Sequence, residues 1–406
     1  MSVALADARV DLRTDRDFRH YLAARVVSLT GSLVSLVALP VLVYQLTGSS
    51  GWTAAVAATE AAPYLLFGLL AGAVADRVRR RELMVRLEVV TGLALASIPI
   101  AWYSGVLTAT QVIVVGFVVQ TCFVFFDAAN FGALPTLVGK QRLTSAFSTL
   151  YAATTSIELF VPALAGLLVA SLAPASLISV NVITAVAAAV LIAGIRAPLS
   201  VPVRTKADIA TGLRFLWQNK IVRTLTLVGT THAVAGGAWV AMLVPWADKV
   251  LGIAPSGDLR LAALFSCWGV GGLAASRLVP ALSRRLGAAR VTLAALPASL
   301  ACGVLVLLSG YWLVALPAAM LWGAAHSTVV LNAITFRQQE IPDELQSRVN
   351  TTCRMLSWGV GQPVGAAVAG TASVAWGPRG GLAVGLCVLA VGVAAAWITP
   401  VLRRAA

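Results

Sequence analysis

Residues 72–84 read Gly72-Ala-Val-Ala-Asp-Arg-Val-Arg-Arg-Arg-Glu-Leu-Met84, with an aspartate and four arginines between two apolar runs. The run before them ends AAPYLLFGLLA, and another begins a few residues later. This reads as a short polar connection between segments that water does not solvate. The composition agrees: 59% of the 406 residues are hydrophobic and 11% charged, and the mean hydropathy is +0.88. Soluble domains hold about 45–50% apolar and about 25% charged residues. So much apolar surface exceeds what one core can bury, and lipid is its expected solvent. The apolar runs are long enough to cross a hydrocarbon core of about 30 Å as helices. They lack the period of two that barrel strands show, and a helix satisfies its backbone polar groups within the segment. The expected fold class is an all-α membrane protein.

The runs lie near 18–45, 52–75, 87–105, 111–134, 146–172, 174–195, 222–246, 261–282, 289–309, 311–335, 351–375 and 380–402, which gives twelve transmembrane helices. Their connections alternate between two sets. One set holds the N-terminal tail, RVRRRELMVR, Lys140/Arg142, the 196–223 linker, SRRLGAAR, FRQQEIPDELQSR and the tail LRR. The other holds QLTGSSG, YSGVLTATQ, SLAPAS, ADKVLGIAPSGDLR, SGYW and WGPRGG. Of 30 Lys and Arg residues, only Lys249, Arg260 and Arg379 fall in the second set. The positive-inside rule then predicts both termini in the cytoplasm of a multi-pass protein of the inner or plasma membrane. The net charge of +14 is accounted for by topology, so nucleic acid is not expected as a partner. The charged N-terminal tail precedes a span too long for the h-region of a leader. Cys122, Cys267, Cys302, Cys353 and Cys387 all fall in spans without a CxxC pair, so neither a metal site nor a disulfide is expected.

The longest polar stretch, 197–223, divides the spans six and six, and its second half has Ile209, Leu213 and Leu216–Trp217 on one helical face. An amphipathic helix on the membrane surface is expected there. The domains are therefore read as 1–196, a six-helix bundle; 197–221, a linker; and 222–406, a second six-helix bundle. Asn130, Leu143 and Pro162 recur as Asn332, Leu345 and Pro363 at offsets of 202, 202 and 201. That spacing suggests two parallel repeats in a pseudo-two-fold arrangement.

GAVADRVRRR resembles the loop 2–3 signature of the major facilitator superfamily, G-x-L-A-D-R-x-G-R-[RK]. Gly72, Ala75, Asp76, Arg77, Arg80 and Arg81 fit the signature, and Arg79 stands where glycine is usual. FRHYLAARVVSLTGSLVSLVALPVLVYQLTGSS, ATGLRFLWQNKIVRTL and ITFRQQEIPDELQSRVNTT resemble the branch with macrolide-efflux, multidrug and enterobactin exporters. With the six-linker-six plan, the resemblance covers the whole chain. It implies the major facilitator fold and a conformational latch of Gly72, Asp76, Arg77, Arg80 and Arg81, with the alternative of a purely topogenic basic loop. Gly72 is expected to let two helices approach closely. Asp76 can meet the positive end of a neighbouring helix, and the arginines can pair with acids on spans 3 or 4.

Ionisable residues at membrane depth are costly and so are candidates for function. Asp127 is read either as part of the latch, paired with Arg25 or Arg80, or as a proton carrier. Glu158, Glu60, His232 and His326 are candidates for proton coupling or substrate binding, with hydrogen-bonded structural roles as the alternative. A carboxyl at the depth of Glu158 can be neutral in one access state and ionised in another. Pro162 and Gly166 fit the family's span-5 antiporter signature, and Val161 departs from it. Ser32 follows Gly31 where the family often has an aspartate. Spans 3, 6, 9 and 12, the family's outer supporting helices, are read as carrying no charge in their interiors. Phe123, Phe126, Tyr151, Phe160, Trp239, Trp268, Trp322 and Trp358 are candidates for an aromatic cavity wall, with helix packing or lipid contact as the alternative.

No nucleotide-binding fingerprint is legible, and no cofactor is expected, the proton gradient being the expected energy source. The resemblance implies a secondary exporter of hydrophobic or amphipathic small molecules by proton antiport, acting as a monomer. A dedicated siderophore or lysophospholipid transporter of the same fold is the alternative. No clustered catalytic set supports an enzyme.

Overall fold

The structure, a computed structural model, describes residues 12, 14–200, 209–255, 258–341, 349, 352–353, 355–399 and 401. Among them it has helices and no strand. The first six long helices are α1 (Arg16–Thr47), α2 (Ser50–Arg77), α3 (Arg80–Tyr103), α4 (109–138), α5 (140–169) and α6 (Pro174–Ala193). A linker helix (Ile209–Gln218) leads to α7 (Lys220–Leu251), α8 (Leu259–Leu286), α9 (Ala288–Leu308) and α10 (Trp312–Glu340). The last two are α11 (355–376), which opens with a π-helical turn at Met355–Gly361, and α12 (378–398). The helical path runs from α4 into α5 and from α11 into α12, broken only by Gly139 and Gly377. Their φ values of 72° and 68° belong to the left-handed region that glycine enters without a Cβ clash. Each of the twelve expected spans coincides with one of these helices. Nine described stretches are long and apolar enough to cross a membrane, with 355–398 counted once across its break.

The chain forms two compact units. The first takes Met1–Leu39, Leu66–Val161 and Ala173–Lys206; the second takes Pro40–Leu65, Pro162–Leu172 and Ala207–Ala406. The packing boundary therefore cuts through α1, α2 and α5 rather than falling at the linker alone. In the first unit Phe18, Tyr21, Met84, Phe126, Leu134 and Ile192 build the core.

In the second unit helix backbones nearly touch. A Cβ built on Gly365 would lie 2.0 Å from the Val234 carbonyl oxygen, and one on Gly237 would lie 2.2 Å from that of Gln362. The same holds between α8 and α10, at Gly271 against Met320 O (2.0 Å) and Gly323 against Trp268 O (2.5 Å). Lipid tails are as apolar as leucine, so helices in a bilayer gain most from such close approach. The ends of α1, α2 and α5 join this unit in the same way. A Cβ on Gly370 would sit 2.3 Å from Ala54 Cβ, and one on Gly166 3.2 Å from Ala262 Cα. The Tyr44 hydroxyl donates to Asp248 at 2.6 Å, and Ser50 and Ser373 share a hydrogen bond of 2.8 Å.

Contacts between connections stay within the two sets that charge placement defined. Asp17 accepts from the backbone N–H of Arg196 and Ala197, and Arg142 pairs with Asp15 at 3.1 Å. In the other set Tyr103 bonds Ser176, and Arg379 donates to Ser309 O. Both members of the repeat's asparagine pair are buried. Asn130 accepts from Tyr21, while Asn332 accepts from Ser283 and donates to Thr292 and Ala288 O. The SRRLGAAR connection is thus pinned to α10 through Asn332.

Among the described residues nothing lies within 4 Å of a Cβ built on Gly72, so the expected close helix approach has no partner among them. The linker helix buries Leu216 against Val222, Ile341, Val349 and Cys353, so part of its apolar face is covered by protein. Leu213 and Trp217 remain 41% and 54% exposed.

The contrast between glycines predicts stability. Gly365→Ala forces a methyl into the Val234 carbonyl and is expected to cost about 1–3 kcal/mol, the range for overpacking. Gly72→Ala meets no described neighbour and is expected to leave the melting midpoint of the detergent-solubilised protein unchanged or higher. A fluorescence melting curve of both variants checks this; equal losses would contradict the packing described.

Candidate functional site

The first unit encloses a polar seam built on α1. Tyr21, Arg25, Ser28, Ser32 and Ser35 follow one another at spacings of four and three, which puts them on one face of a helix. On α4 the residues Phe123, Phe126, Asp127 and Asn130 form the matching face. The two faces meet antiparallel. Tyr21 Oη donates to Asn130 Oδ1 at 2.5 Å and reaches Asn130 O at 3.1 Å, and Arg25 Nη2 lies 3.3 Å from Asp127 Oδ1. The Arg25 side chain is 12% exposed and that of Asp127 8%. The guanidinium also lies 5.8 and 6.0 Å from the ring centroids of Phe123 and Phe126, within the range of cation–π attraction. Of the two partners considered for Asp127, Arg25 is in contact.

One helical turn further along α1, Ser28 Oγ donates to Glu88 Oε1 at 2.6 Å. Glu88 belongs to α3 and is 5% exposed. This corrects the reading of span 3 as free of interior charge. Glu88 stands two residues past the basic stretch that ends at Arg86, which made it look like a loop residue, while α3 already begins at Arg80. The polar stripe on α1 was the available signal, since a row of hydroxyls facing a bundle interior needs partners. Beyond Glu88 a cavity of about 20 Å³ is lined by Ser28, Ser32, Glu88, Thr91, Cys122 and Asn181, among others. Asn181 Nδ2 donates to Ser35 at 2.8 Å. It comes this close because residue 31 is glycine: a Cβ there would stand 2.3 Å from Asn181 Oδ1.

The basic loop is anchored next to the seam. Arg80 is 7% exposed, and its Nη1 donates to Gly132 O at 2.8 Å and to Leu199 O at 3.4 Å; its backbone N–H donates to Ser200 Oγ. Arg81 donates to Ile195 O at 2.7 Å, and Arg77 is exposed. These guanidinium contacts of Arg80 and Arg81 are to carbonyl oxygens. Arg80 depends on a residue the sequence reading missed, since a Cβ on Gly132 would lie 2.4 Å from its Cζ. The Asp76 side chain lies outside the described residues, as do those of Glu60, Tyr151 and Trp358.

The other candidates are separate. Glu158 and Phe160 are exposed. His232 and His326, from α7 and α10, pack with tilted rings whose centroids are 5.6 Å apart. His326 also packs on Trp268, which contacts Trp239 and Trp322 at 5.4 and 5.1 Å. Trp239 and Trp322 are 3% and 1% exposed, so they fill the interior of the second unit rather than line an open wall. His232 Nδ1 donates to its own helix, at Val228 O. Among the described residues no three metal-ligating side chains converge.

The family model "Major Facilitator Superfamily" matches residues 21–352. Two relatives named multidrug efflux pump Tap are similar. The one from Mycobacterium tuberculosis is 31% identical over 228 residues, and the one from Mycolicibacterium fortuitum is 30% identical over 235. Macrolide efflux protein A of Streptococcus pyogenes is 26% identical over 216 residues. The aligned part is 52–54% of this chain and 53–56% of these relatives, so the chain spans about half the length of the curated relatives it matches. Among solved structures, the nucleoside transporter NupG superposes with a TM-score of 0.75 at 12% identity, covering 95% of this chain and 98% of that one. A bacterial homologue of the iron transporter ferroportin gives 0.70 at 17% identity, covering 94% and 98%.

A buried ion pair that loses one partner leaves an uncompensated charge, at a cost of about 3–5 kcal/mol. Arg25→Leu and Asp127→Leu are each expected to destabilise the solubilised protein on that scale, and the double variant by clearly less than their sum. A double-mutant cycle on melting midpoints tests this, and additive losses would contradict a direct pair.

Proposed function

The chain belongs to the Major Facilitator Superfamily, and on that footing we propose that it is a secondary active exporter of hydrophobic or amphipathic small molecules, driven by proton antiport. The observation that carries the efflux reading is the 30–31% identity to pumps named for multidrug efflux, together with the macrolide efflux relative. In this reading two bundles, 1–196 and 222–406, joined by the linker 197–221, alternate access to a central site. The chain lies in the inner or plasma membrane with both termini cytoplasmic and works as a monomer without a cofactor.

The geometry supports this reading at two levels. Tyr44–Asp248 and Ser50–Ser373, with the Gly166 and Gly370 contacts, tie the ends of α1, α2 and α5 to α7, α8 and α11. Two hydrogen bonds and small-residue contacts suit a seal that must also open, since each is modest in free energy. At the basic end Arg80 and Arg81 sit on carbonyls of α4 and of the chain just after α6. There Asp76, Arg77 and Arg80 would act as the latch that holds one state. Titratable side chains inside an otherwise apolar bundle supply what a proton-coupled cycle needs.

Cells expressing the protein are expected to accumulate less ethidium and less radiolabelled erythromycin than cells with empty vector, and a protonophore is expected to abolish the difference. Asp76→Asn should lose most of the efflux while reaching the membrane at the wild-type level. Accumulation that ignores the protonophore would overturn antiport. Accumulation equal to vector for every compound of a broad drug panel would favour a dedicated cargo such as a siderophore or lysophospholipid.

A further inference from the structure

We propose that Glu88 is the proton-binding site of the first unit, loaded while Arg25 is paired with Asp127 and unloaded when that pair opens. The inference rests on the proton-coupled reading above and names the group that would carry the proton.

Three features of the seam support it. First, Glu88 is buried and fixed: it is 5% exposed and its Oε1 accepts the Ser28 hydroxyl at 2.6 Å. Second, it borders a small polar cavity of about 20 Å³ whose wall includes Ser32, Thr91, Cys122 and Asn181. A site of that size with several polar partners holds about one water molecule, the minimum for passing a proton to or from a buried acid. Third, the charges around it do not balance if it is ionised.

Among the described residues, the elements packed on Glu88 bring few charges to it. From α1 comes Arg25; from α4 come Asp127 and the Cys122 thiol; α6 contributes the uncharged Asn181. On α3 itself Glu82 and Arg86 face away, with side chains 46% and 79% exposed. Among the described residues one guanidinium thus faces two carboxyl groups, and in this structure it is paired with Asp127 at 3.3 Å. A second buried carboxylate without its own cation would be strongly disfavoured. A proton on Glu88 removes that charge and leaves the Ser28 hydrogen bond in place.

The same geometry couples the proton to movement. Arg25 and Ser28 lie three residues apart on one face of α1, and Ser28 already touches Glu88. Arg25 Nη1 is buried with no hydrogen-bond partner among the described residues. If α4 draws Asp127 away, the guanidinium can swing one turn to Glu88, and the carboxyl then gives its proton to the cavity water. When the Arg25–Asp127 pair reforms, Glu88 must take a proton back. No oxidant or other reactant is needed, because one proton moves between Glu88 and water. Glu158, by contrast, is exposed, and His232 packs on His326, which in turn packs on Trp268.

The test uses the full chain in vesicles of Escherichia coli polar lipid and has two readouts. Infrared difference spectra across a pH step report protonated carboxyl groups directly. Wild type is expected to show a carboxylic C=O band that Glu88→Gln removes and that Glu82→Gln, on the exposed side of α3, leaves intact. In everted vesicles, ethidium accumulation driven by an imposed pH gradient should fall in Glu88→Gln to the level of vesicles lacking the protein. A band unchanged in Glu88→Gln, or wild-type accumulation by that variant, would overturn the proposal. If Glu88→Gln is not recovered folded, Ser28→Ala decides: losing the hydrogen bond should shift the band to higher frequency, and an unshifted band overturns the proposal. Wild-type vesicles that ignore the pH gradient while the Glu88 band titrates would defeat antiport and leave the proton site standing.

Discussion

A polar group with no partner in hydrocarbon costs several kcal/mol, and that cost shapes this chain at every level. It makes each span helical, so that backbone groups bond within the segment. It confines positive-φ glycines such as Gly139 and Gly377 to breaks between helices, where the chain turns. It also forces the polar side chains that remain within the bundle to find one another. Tyr21, Arg25 and Ser28 on α1 each have a partner on α3 or α4, and Ser35 has one on α6. The seam is what this constraint leaves when polar residues are kept inside an apolar bundle.

The two halves answer the constraint differently. In the first, buried charge and hydroxyl groups join α1, α3, α4 and α6, and the basic loop is anchored by Arg80 beside Gly132. In the second, α7 packs on α11 and α8 on α10 through glycines set against backbone carbonyls, and a core of Trp239, Trp268, Trp322 and two histidines fills the space. The buried asparagines 130 and 332 are the trace of a shared plan. Each holds polar groups of neighbouring helices, one from α1 and the other from the α8–α9 connection. Ionic contacts make and break with local charge, whereas interlocked backbones resist change. Within the proposed cycle, the first half is therefore suited to switching and the second to rigidity.

Much of the site was legible in part. Asp127 and Arg25 stood out as charges at membrane depth, and their pairing was one of the alternatives read from the sequence. Glu88 did not stand out, because an acid two turns beyond RVRRR and two residues past Arg86 looks like part of a solvated loop. Gly132 was equally silent: a glycine in a span has many uses, and only the guanidinium of Arg80 against its Cα shows which applies. For Gly72 the family motif suggested close packing, and among the described residues no neighbour comes within 4 Å of a Cβ placed there. The tryptophans were readable as aromatic spans, but whether an indole faces a cavity or a core depends on how its helix is rotated.

The sequence by itself determined that the chain is helical, that it crosses a membrane many times, and that its connections alternate between a basic and a nearly uncharged set. These follow from hydrophobic transfer free energy and charge placement, which act segment by segment and need no knowledge of neighbours. Only the tertiary structure decided which polar groups meet: Arg25 with Asp127, Ser28 with Glu88, Arg80 with the Gly132 carbonyl. Such pairings depend on the rotation, depth and separation of several helices at once, and the periodicity of a single helix fixes none of these.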